Sequence, residues 1–257
     1  MNAPQNPVIL TYHSIADGRS PLKISPALFT EQMEWLSAQA RVAPLTEVVA
    51  ALEQQKPLPK RTVVLTFDDG FLDFYSVAAL VLRRCGFPAT VFLPTAYCGR
   101  TNAWPGQPAW VDEQPLMDWT QIRQLAEEGI SFGAHSATHV LLTQLPQEDV
   151  EREIVESRGE IEARAGRRPE FFCYPYGRWN CGVREIVMRH FRGACTTAAG
   201  VVGPEADPFA LPRADVHDLR RAVCFRSLFT GRLQTYLMAR RLIRRLRSQP
   251  EGYLSAR

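Results

Sequence analysis

Short apolar runs alternate along the chain with longer segments in which apolar residues recur at helical spacing. The runs predict seven strands, at residues 8–12, 62–67, 89–93, 130–134, 171–174, 194–198 and 211–216. The longer segments predict helices at residues 26–40, 47–53, 71–85, 119–128, 147–165 and 183–191, and a last helix near the C-terminus. Ser25-Pro26 is typical of a helix start and Gly86 of a helix end.

The order of these elements predicts the fold class. Strands separated by helices of this length form a parallel sheet, either open or closed into a barrel. In such folds the functional side chains lie just past the carboxyl ends of the strands. Four predicted strand ends carry polar groups of this kind: Tyr12-His13, Asp68-Asp69, His135 with His139, and residues 174–177. We therefore expect these groups to meet at one rim of the sheet.

Two of these strand ends predict a metal site. Asp68 and Asp69 follow the apolar run "VVLTF" and repel each other unless a positive charge lies nearby. His135 and His139 are four residues apart, so both rings point the same way if the segment forms a turn of helix. Two imidazoles and one carboxylate are a common ligand set for a divalent cation. The alternative is that the two histidines are surface or helix-capping residues.

Composition narrows the class of protein. The chain is 46% hydrophobic and 22% charged, as in ordinary globular proteins, and its net charge of +3 is too small to indicate a nucleic-acid partner. The six cysteines form no C-x-x-C pair, and the N-terminal residues "MNAPQNPVIL" lack a basic stretch followed by a long apolar one. We expect reduced thiols, no signal peptide and a cytoplasmic location.

The C-terminal residues are unusually basic. Residues 220–257 contain ten arginines and one glutamate. On a helical wheel one half of the last helix carries five of these arginines: Arg240, Arg241, Arg244, Arg245 and Arg247. Such a basic amphipathic helix predicts contact with an anionic membrane surface, here the inner face of the membrane. The alternative is a helix that packs on its own domain and presents its arginines to solvent.

The segments "TFDDG" (66–70), "HSATH" (135–139) and "YPYG" (174–177), in this order, resemble the polysaccharide deacetylase family, also called carbohydrate esterase family 4 or the NodB homology domain. The resemblance runs from about Val8 to Val216. It implies a domain at residues 8–217, followed by a basic helical extension at residues 218–257. It also implies a distorted (β/α) barrel with a divalent metal, most often Zn2+ and alternatively Ni2+, Co2+ or Mn2+.

The resemblance assigns roles by position. The implied metal ligands are Asp69, His135 and His139. Asp68 resembles the catalytic base of the family. The backbone amide of Tyr176 resembles the donor to the oxyanion, in a turn that Pro175 and Gly177 make rigid. A plain β-turn is the alternative for this last segment.

Two positions depart from the family pattern. The usual third motif has an arginine two residues before its proline, and this chain has Cys173 there. Arg213 is a candidate substitute, with a purely structural ion pair as the alternative. The late histidine that acts as general acid in the family has no clear counterpart. His13, in "LTYHSI", resembles the acid of one branch of the family, and His217 is the other candidate; His13 could also be a satisfied barrel-mouth histidine.

These features predict a metal-dependent hydrolase that removes an N-acyl group, acetyl above all, from an amino sugar, a glycan or a glycolipid precursor. Substrate contacts are predicted at Tyr174, Pro175, Arg213 and Trp119. Trp104, Trp110 and Trp119, in and just after the loop predicted at residues 97–115, either stack on a sugar or serve as hydrophobic plugs. Two other functions stay open: an amidohydrolase acting on a linear or cyclic amide that is not a sugar, and a carbohydrate-binding domain without activity.

Overall fold

The computed structural model describes residues 6–58, 60–233, 235–237 and 239. Within these residues it contains eight strands: β1 (Val8–Tyr12), β2 (Arg41–Val42), β3 (Thr62–Phe67), β4 (Thr90–Leu93), β5 (Ser131–Ala134), β6 (Phe171–Cys173), β7 (Gly193–Ala199) and β8 (Leu211–Asp215). Seven of them coincide with predicted strands to within one residue at each end. Only β2, which is too short to show an apolar pattern, was not predicted.

In the described residues, six helices lie between strands and a seventh follows β8: α1 (Pro26–Gln39), α2 (Leu45–Glu53), α3 (Ala79–Cys85), α4 (Trp119–Glu127), α5 (Gln147–Ala165), α6 (Cys181–His190) and, last, α7 (Ala222–Phe225). The Ser25 hydroxyl caps α1, and Gly86 ends α3 with φ of 67°. The helix predicted at 71–85 is helical from Leu72 to Cys85, while Phe71 pairs with Leu116. A π-helical turn, Phe74–Ala78, then leads into α3.

All the strand pairings are parallel, and seven strands close into a barrel in the order β1-β8-β7-β6-β5-β4-β3. Closure comes from β1 and β3, which pair over their whole length from Val8↔Val63 to Tyr12↔Phe67. The short β2 pairs with the first residues of β3. The barrel is irregular, since one registered pair, Ala134↔Phe172, joins β5 to β6 and the β7–β8 register shifts after Cys195. The predicted distorted (β/α) barrel is confirmed.

Alternation along the strands decides which residues reach the site. On β3, Val63, Leu65 and Phe67 pack with the surrounding helices, whereas Val64 faces the barrel interior. Phe92 fills much of that interior, and it can do so only beside a glycine, because a Cβ on Gly133 would lie 2.5 Å from its ring. The amino end of the barrel is closed by three residues of α2: Leu45, Val48 and Val49. At the carboxyl ends of the strands, the positions that face the barrel interior are occupied by polar residues.

The described part of the C-terminal extension packs on the barrel domain. Trp35 of α1 contacts the rings of Phe225 and Phe229, with centroids 5.6 and 6.2 Å away, and Leu233 and Leu237 are buried. The basic stretch from Arg240 to Arg247 lies outside the described residues, so its predicted amphipathic helix stays a prediction. None of the described helices combines the length and the apolar character needed to cross a bilayer.

Candidate active site

Three side chains converge at the rim formed by the carboxyl ends of β3 and β5. Asp69 Oδ1 lies 3.6 Å from His135 Nε2 and 3.3 Å from His139 Nε2. All three residues are buried, with 5% or less of their surface exposed. The predicted carboxylate and two imidazoles therefore come together in space, with one possible ligand atom of each within 4.8 Å of the other two.

The state of these donors fits a divalent cation. Asp69 Oδ1 is buried and has no hydrogen-bond partner among the described residues, an arrangement that is unfavourable unless a cation balances it. His135 Nδ1 lies 2.6 Å from the Cys173 carbonyl, which can only accept, so the ring proton is on Nδ1 and the Nε2 lone pair is free. Burial, aided by the neighbouring His139, lowers the pKa of His135 to about 4 and keeps the ring neutral.

The two histidines are not presented by a helical turn, as the spacing suggested. Residues 135–139 form a loop in which Ser136 and His139 have φ of 60° and 57°, and Asp69 has φ of 69°. The loop is held by the His139 amide, which donates to Ser136 Oγ at 2.9 Å. These left-handed conformations, which are uncommon outside glycine, turn both rings toward Asp69. The predicted helical turn is wrong, although its consequence, two rings on one side, is what the loop produces.

Asp68 is paired with Arg213, which projects from β8. Arg213 donates to both carboxylate oxygens, from Nη1 to Oδ1 at 2.8 Å and from Nη2 to Oδ2 at 2.7 Å. Its Nε donates to the Thr196 carbonyl at 2.8 Å, and Nη2 also lies 3.1 Å from Cys173 Sγ. The structure thus places Arg213 against Asp68, beside the cysteine that stands where the family pattern has its arginine.

This pair keeps Asp68 ionised. Burial by itself raises the pKa of the Asp68 carboxyl, but the charge and the two hydrogen bonds of Arg213 outweigh it and hold that pKa well below its usual value. Each carboxylate oxygen has two lone pairs, so a carboxylate bound by Arg213 can still accept a further proton donor.

Replacing Arg213 with alanine is expected to lower the free energy of unfolding by about 3–5 kcal/mol, because it leaves a buried carboxylate without its partner. The matched control is Arg184→Ala, which removes another bidentate pair, with Asp207, whose side chains are 27% and 36% exposed. That pair is expected to contribute only about 0–1 kcal/mol. Urea unfolding of both variants tests the difference, and equal losses would show that the Arg213 pair has no special weight.

His13 and His217 occupy different positions relative to Asp68. His13 Nε2 lies 4.0 Å from Asp68 Oδ2, and the His13 side chain is 21% exposed and lines the cleft above the two aspartates. His217 follows β8, its amide donates to Asp215 Oδ1, and its side chain does not line this cleft. Of the two candidate acids, the geometry brings His13 to the site.

A turn after β6 forms another wall. Residues Pro175–Gly177 make one turn of 3-10 helix in which Tyr176 has φ of 56°. Gly177 has φ of 65°, and a Cβ there would lie 2.0 Å from Thr197 Oγ1, so only glycine fits. The Tyr176 ring packs edge-on against His139, with centroids 4.7 Å apart. The turn therefore lies directly beside the predicted metal ligands.

These groups line a cleft of about 160 Å³. Beside the aspartates and the metal-site histidines, its walls include His13, Leu22, Trp104, Trp110, Tyr174 and Tyr176. Trp104 covers the other side of His139, at a ring distance of 4.2 Å. The arrangement can bind a cation, supply a carboxylate base and enclose a small, partly apolar group.

The sequence of this chain was compared with those of known protein families. The sequence profile described as polysaccharide deacetylase matches residues 55–190, more than half of the chain. The chain belongs to the polysaccharide deacetylase family. Its relatives in this family include the Bacillus subtilis protein YxkH, 27% identical over 211 residues that cover 81% of this chain and 70% of that protein. The resemblance stated from the three motifs is confirmed.

Two further relatives extend the comparison. The poly-β-1,6-N-acetyl-D-glucosamine N-deacetylase of Staphylococcus epidermidis is 26% identical over 214 residues, which cover 78% of this chain and 71% of that protein. The solved structure of the Streptococcus pyogenes deacetylase PplD superposes with a TM-score of 0.73 and covers 83% of this chain and 93% of that one, at 24% identity. The superposition on PplD shows that this chain and PplD share the same fold.

Three of the four predicted substrate contacts do not line the cleft. Trp119 begins α4, and its ring lies under the Arg164 guanidinium, 5.5 Å from the ring centroid. Arg213 lies beneath Asp68, and Pro175 is buried within its turn. Tyr174 does line the cleft, but its hydroxyl donates to the Phe209 carbonyl at 3.1 Å. Direct contact of Trp119, Arg213 or Pro175 with substrate therefore stays a prediction that the lining of this cleft does not support.

One supporting residue was missed. The Glu153 carboxylate of α5 accepts the Thr138 amide at 2.8 Å and the Thr138 hydroxyl at 2.6 Å, and so anchors the loop that carries both histidines. The helical spacing of α5 could have indicated its role. Glu153 lies three residues after Val150 and four before Ser157, and so on the buried face of the helix. A carboxylate on such a face needs a partner.

Proposed function

We propose that this member of the family is a metal-dependent hydrolase that removes N-acetyl groups from amino sugars in a glycan. The observation that carries the proposal is the convergence of Asp69, His135 and His139 beside an ionised Asp68. The Staphylococcus epidermidis relative named for poly-β-1,6-N-acetyl-D-glucosamine supports a β-1,6-linked polymer of N-acetylglucosamine as the first substrate to test.

Asp69, His135 and His139 would hold the metal. When bound there, a divalent ion supplies a Lewis acid that polarises the acyl oxygen and favours ionisation of water. Two imidazoles and one carboxylate suit Zn2+, with Ni2+, Co2+ and Mn2+ as further candidates.

The remaining steps fall to the residues of the chain. Asp68, kept anionic by Arg213, accepts the proton of the attacking water. The Tyr176 amide, presented by its left-handed turn, donates a hydrogen bond to the acyl oxygen as negative charge develops on it. His13 donates a proton to the amine nitrogen, which is a poor leaving group until it is protonated. Trp104 and Tyr176 shield the reacting group from water.

The most direct test is acetate release, measured by mass spectrometry. The substrates are N-acetyl and N-formyl amino sugars in free, nucleotide-linked, lipid-linked and β-1,6-oligomeric forms, together with linear and cyclic amides that are not sugars. Loss of acetyl from the sugars supports the proposal. Hydrolysis of the non-sugar amides alone would identify a different amidohydrolase, and binding of oligomers without any hydrolysis would identify an inactive carbohydrate-binding domain.

A comparison of two histidine variants tests the acid. His13→Ala is expected to keep its metal and its fold but to lose about 10²–10⁴-fold in kcat, together with the alkaline limb of the pH–rate profile. His217→Ala should be much milder. Both profiles are measured on one substrate, and a nearly normal His13→Ala enzyme beside an inactive His217→Ala enzyme would reverse the assignment.

Two statements about location remain proposals. We infer a cytoplasmic protein, peripheral at the inner membrane surface, from the basic residues after Met238, because the anionic lipids of that surface attract such a segment. Fractionation of cells, with and without the substitution of Arg240, Arg241, Arg244, Arg245 and Arg247 by glutamine, tests both. Recovery of the unaltered protein wholly outside the membrane fraction contradicts the membrane contact.

A further inference from the structure

Asp73 lies four residues after Asp69, at the start of the helical segment in the connection that follows β3, yet its carboxylate binds the chain just after β1. It stands at the start of the π-helical turn but does not cap it through its side chain. Instead, Asp73 Oδ2 accepts the Ser14 hydroxyl at 2.6 Å, and Oδ1 accepts the Ile15 amide at 2.8 Å. Both partners come directly after His13.

These bonds are of the stronger kind. The acceptor is a half-buried carboxylate and the Ser14 side chain is fully buried, so both hydrogen bonds are charge-assisted and little weakened by water. The Ser14 hydroxyl also lies 3.2 Å from Gln114 Oε1, but its one hydrogen belongs to the shorter contact with Asp73. Asp73 thereby joins the loop after β3 to the loop after β1.

His13 lies between two points of attachment. On one side, the β1 ladder ends at Tyr12, whose carbonyl accepts the Asp68 amide at 2.9 Å. On the other side, the chain is fixed again at Ser14 and Ile15 by Asp73. The backbone of Ser14 also bonds Leu22 and Ile24, which shapes the following loop but leaves the Ile15 amide to Asp73. The two attachments flank His13, whose Nε2 lies 4.0 Å from Asp68 Oδ2.

We propose that Asp73 is a positioning residue for His13, which holds the backbone after β1 so that the imidazole stays beside Asp68. The proposal rests on the function proposed above and on the assignment of His13 as the acid. It assigns a role in the reaction to a carboxylate that touches neither the metal ligands nor the substrate cleft.

The experiment compares Asp73→Ala with Asp73→Asn, using the β-1,6-linked N-acetylglucosamine oligomer as substrate. Asp73→Ala removes both acceptors and is expected to lower kcat about 10–100-fold with little change in KM, because small displacements of a catalytic group have effects of this size. Asparagine retains an acceptor for the Ile15 amide and a polar partner for Ser14, so it should restore most of the rate. If Asp73→Ala does not fold, Ser14→Ala removes one of the two bonds and should show a smaller loss of the same kind.

A double-mutant cycle separates positioning from general loosening of the fold. In the His13→Ala background, Asp73→Ala should change kcat by no more than about twofold, because the group that it positions is already gone. The control is Asp118→Ala, which removes the cap of α4 and should lower thermal stability while leaving kcat unchanged.

The outcomes are distinct. If the unaltered protein releases acetate and His13→Ala is impaired, but the loss from Asp73→Ala is the same in both backgrounds, the positioning role is wrong and the proposed function stands. If Asp73→Ala has normal kcat, the role is also wrong. If the unaltered protein releases no acetate from any acetylated sugar, the proposed function itself fails.

Discussion

Removal of the metal, by a chelator or by replacement of any one of its predicted ligands, is expected to abolish acetate release. Asp69→Ala, His135→Ala and His139→Ala each remove one of the three predicted ligand atoms. These atoms are Asp69 Oδ1 and the two histidine Nε2 atoms, which lie 3.6 and 3.3 Å from it. The two that remain cannot hold a cation against water with comparable affinity. A second group of possible ligands among the described residues, Asp68, His135 and Cys173, shares only His135 with this set, and Arg213 already binds both oxygens of Asp68. We expect each variant to be purified with little metal and without measurable activity.

Elemental analysis of the purified variants checks this expectation, and His190→Ala is the matched control. His190 lies at the end of α6, where its ring is 3.7 Å from Glu151, away from the cleft. Its replacement should leave the metal content and the rate unchanged. Activity that returns when a divalent ion is added back to the chelated protein would support the site, whereas unchanged metal in all three ligand variants would show that the triad is misassigned.

The second large effect is expected from Asp68→Asn, which should keep the metal and lose about 10²–10⁴-fold in kcat. The amide has the same shape as the carboxylate but cannot accept a proton from water near neutral pH. Because Asp68 is not a predicted ligand, metal content should match that of the unaltered protein. The variant should also unfold more easily, since Arg213 becomes a buried cation without a charged partner.

Both kcat and the metal content of Asp68→Asn must be measured, because together they distinguish a catalytic base from a metal ligand. Asp112→Asn provides the control, because it neutralises a carboxylate near the cleft that is 62% exposed and paired with Lys23. It should have little effect on kcat. Full activity in Asp68→Asn would remove Asp68 from the reaction, and loss of the metal would instead make it a ligand.

The parts of the fold that the sequence predicted well are those determined by short-range patterns. The run from Thr62 to Phe67 alternates between the barrel interior and the helices, and this period of two carries Asp68 onto the inner row. Closure of the barrel was left open, because it depends on the pairing of β1 with β3, which are more than fifty residues apart. Nothing local in either strand specifies that pairing.

Only part of the site could be predicted, because several of its contacts join residues that lie far apart in the sequence. Ser136 and His139 adopt left-handed conformations without being glycines, so no glycine marks the segment as a loop. Trp119 has its partner, Arg164, on another helix, and a tryptophan stacked in this way has the same sequence appearance as one that faces a ligand. Arg213 was identified as a candidate substitute for the missing arginine, and the structure pairs it with Asp68. Asp73 and Glu153 bind backbone amides far away in sequence, which no motif records.

The left-handed residues have a consequence for any attempt to make this protein more robust. Six non-glycine residues of the described chain have positive φ. Three of them, Asp69, His139 and Tyr176, line the cleft, and a fourth, Ser136, is buried in the loop that carries both histidines. Each such conformation is unfavourable by roughly 1–3 kcal/mol. Replacing these residues with glycine would relieve the strain and stabilise the protein. The same substitutions would remove a predicted metal ligand, a hydrogen bond of the histidine loop or a ring beside the site, and would therefore lower activity. Selection for heat resistance in this barrel must act elsewhere, on positions such as Gln55 and Arg61, where the same backbone strain serves no chemistry proposed for the site.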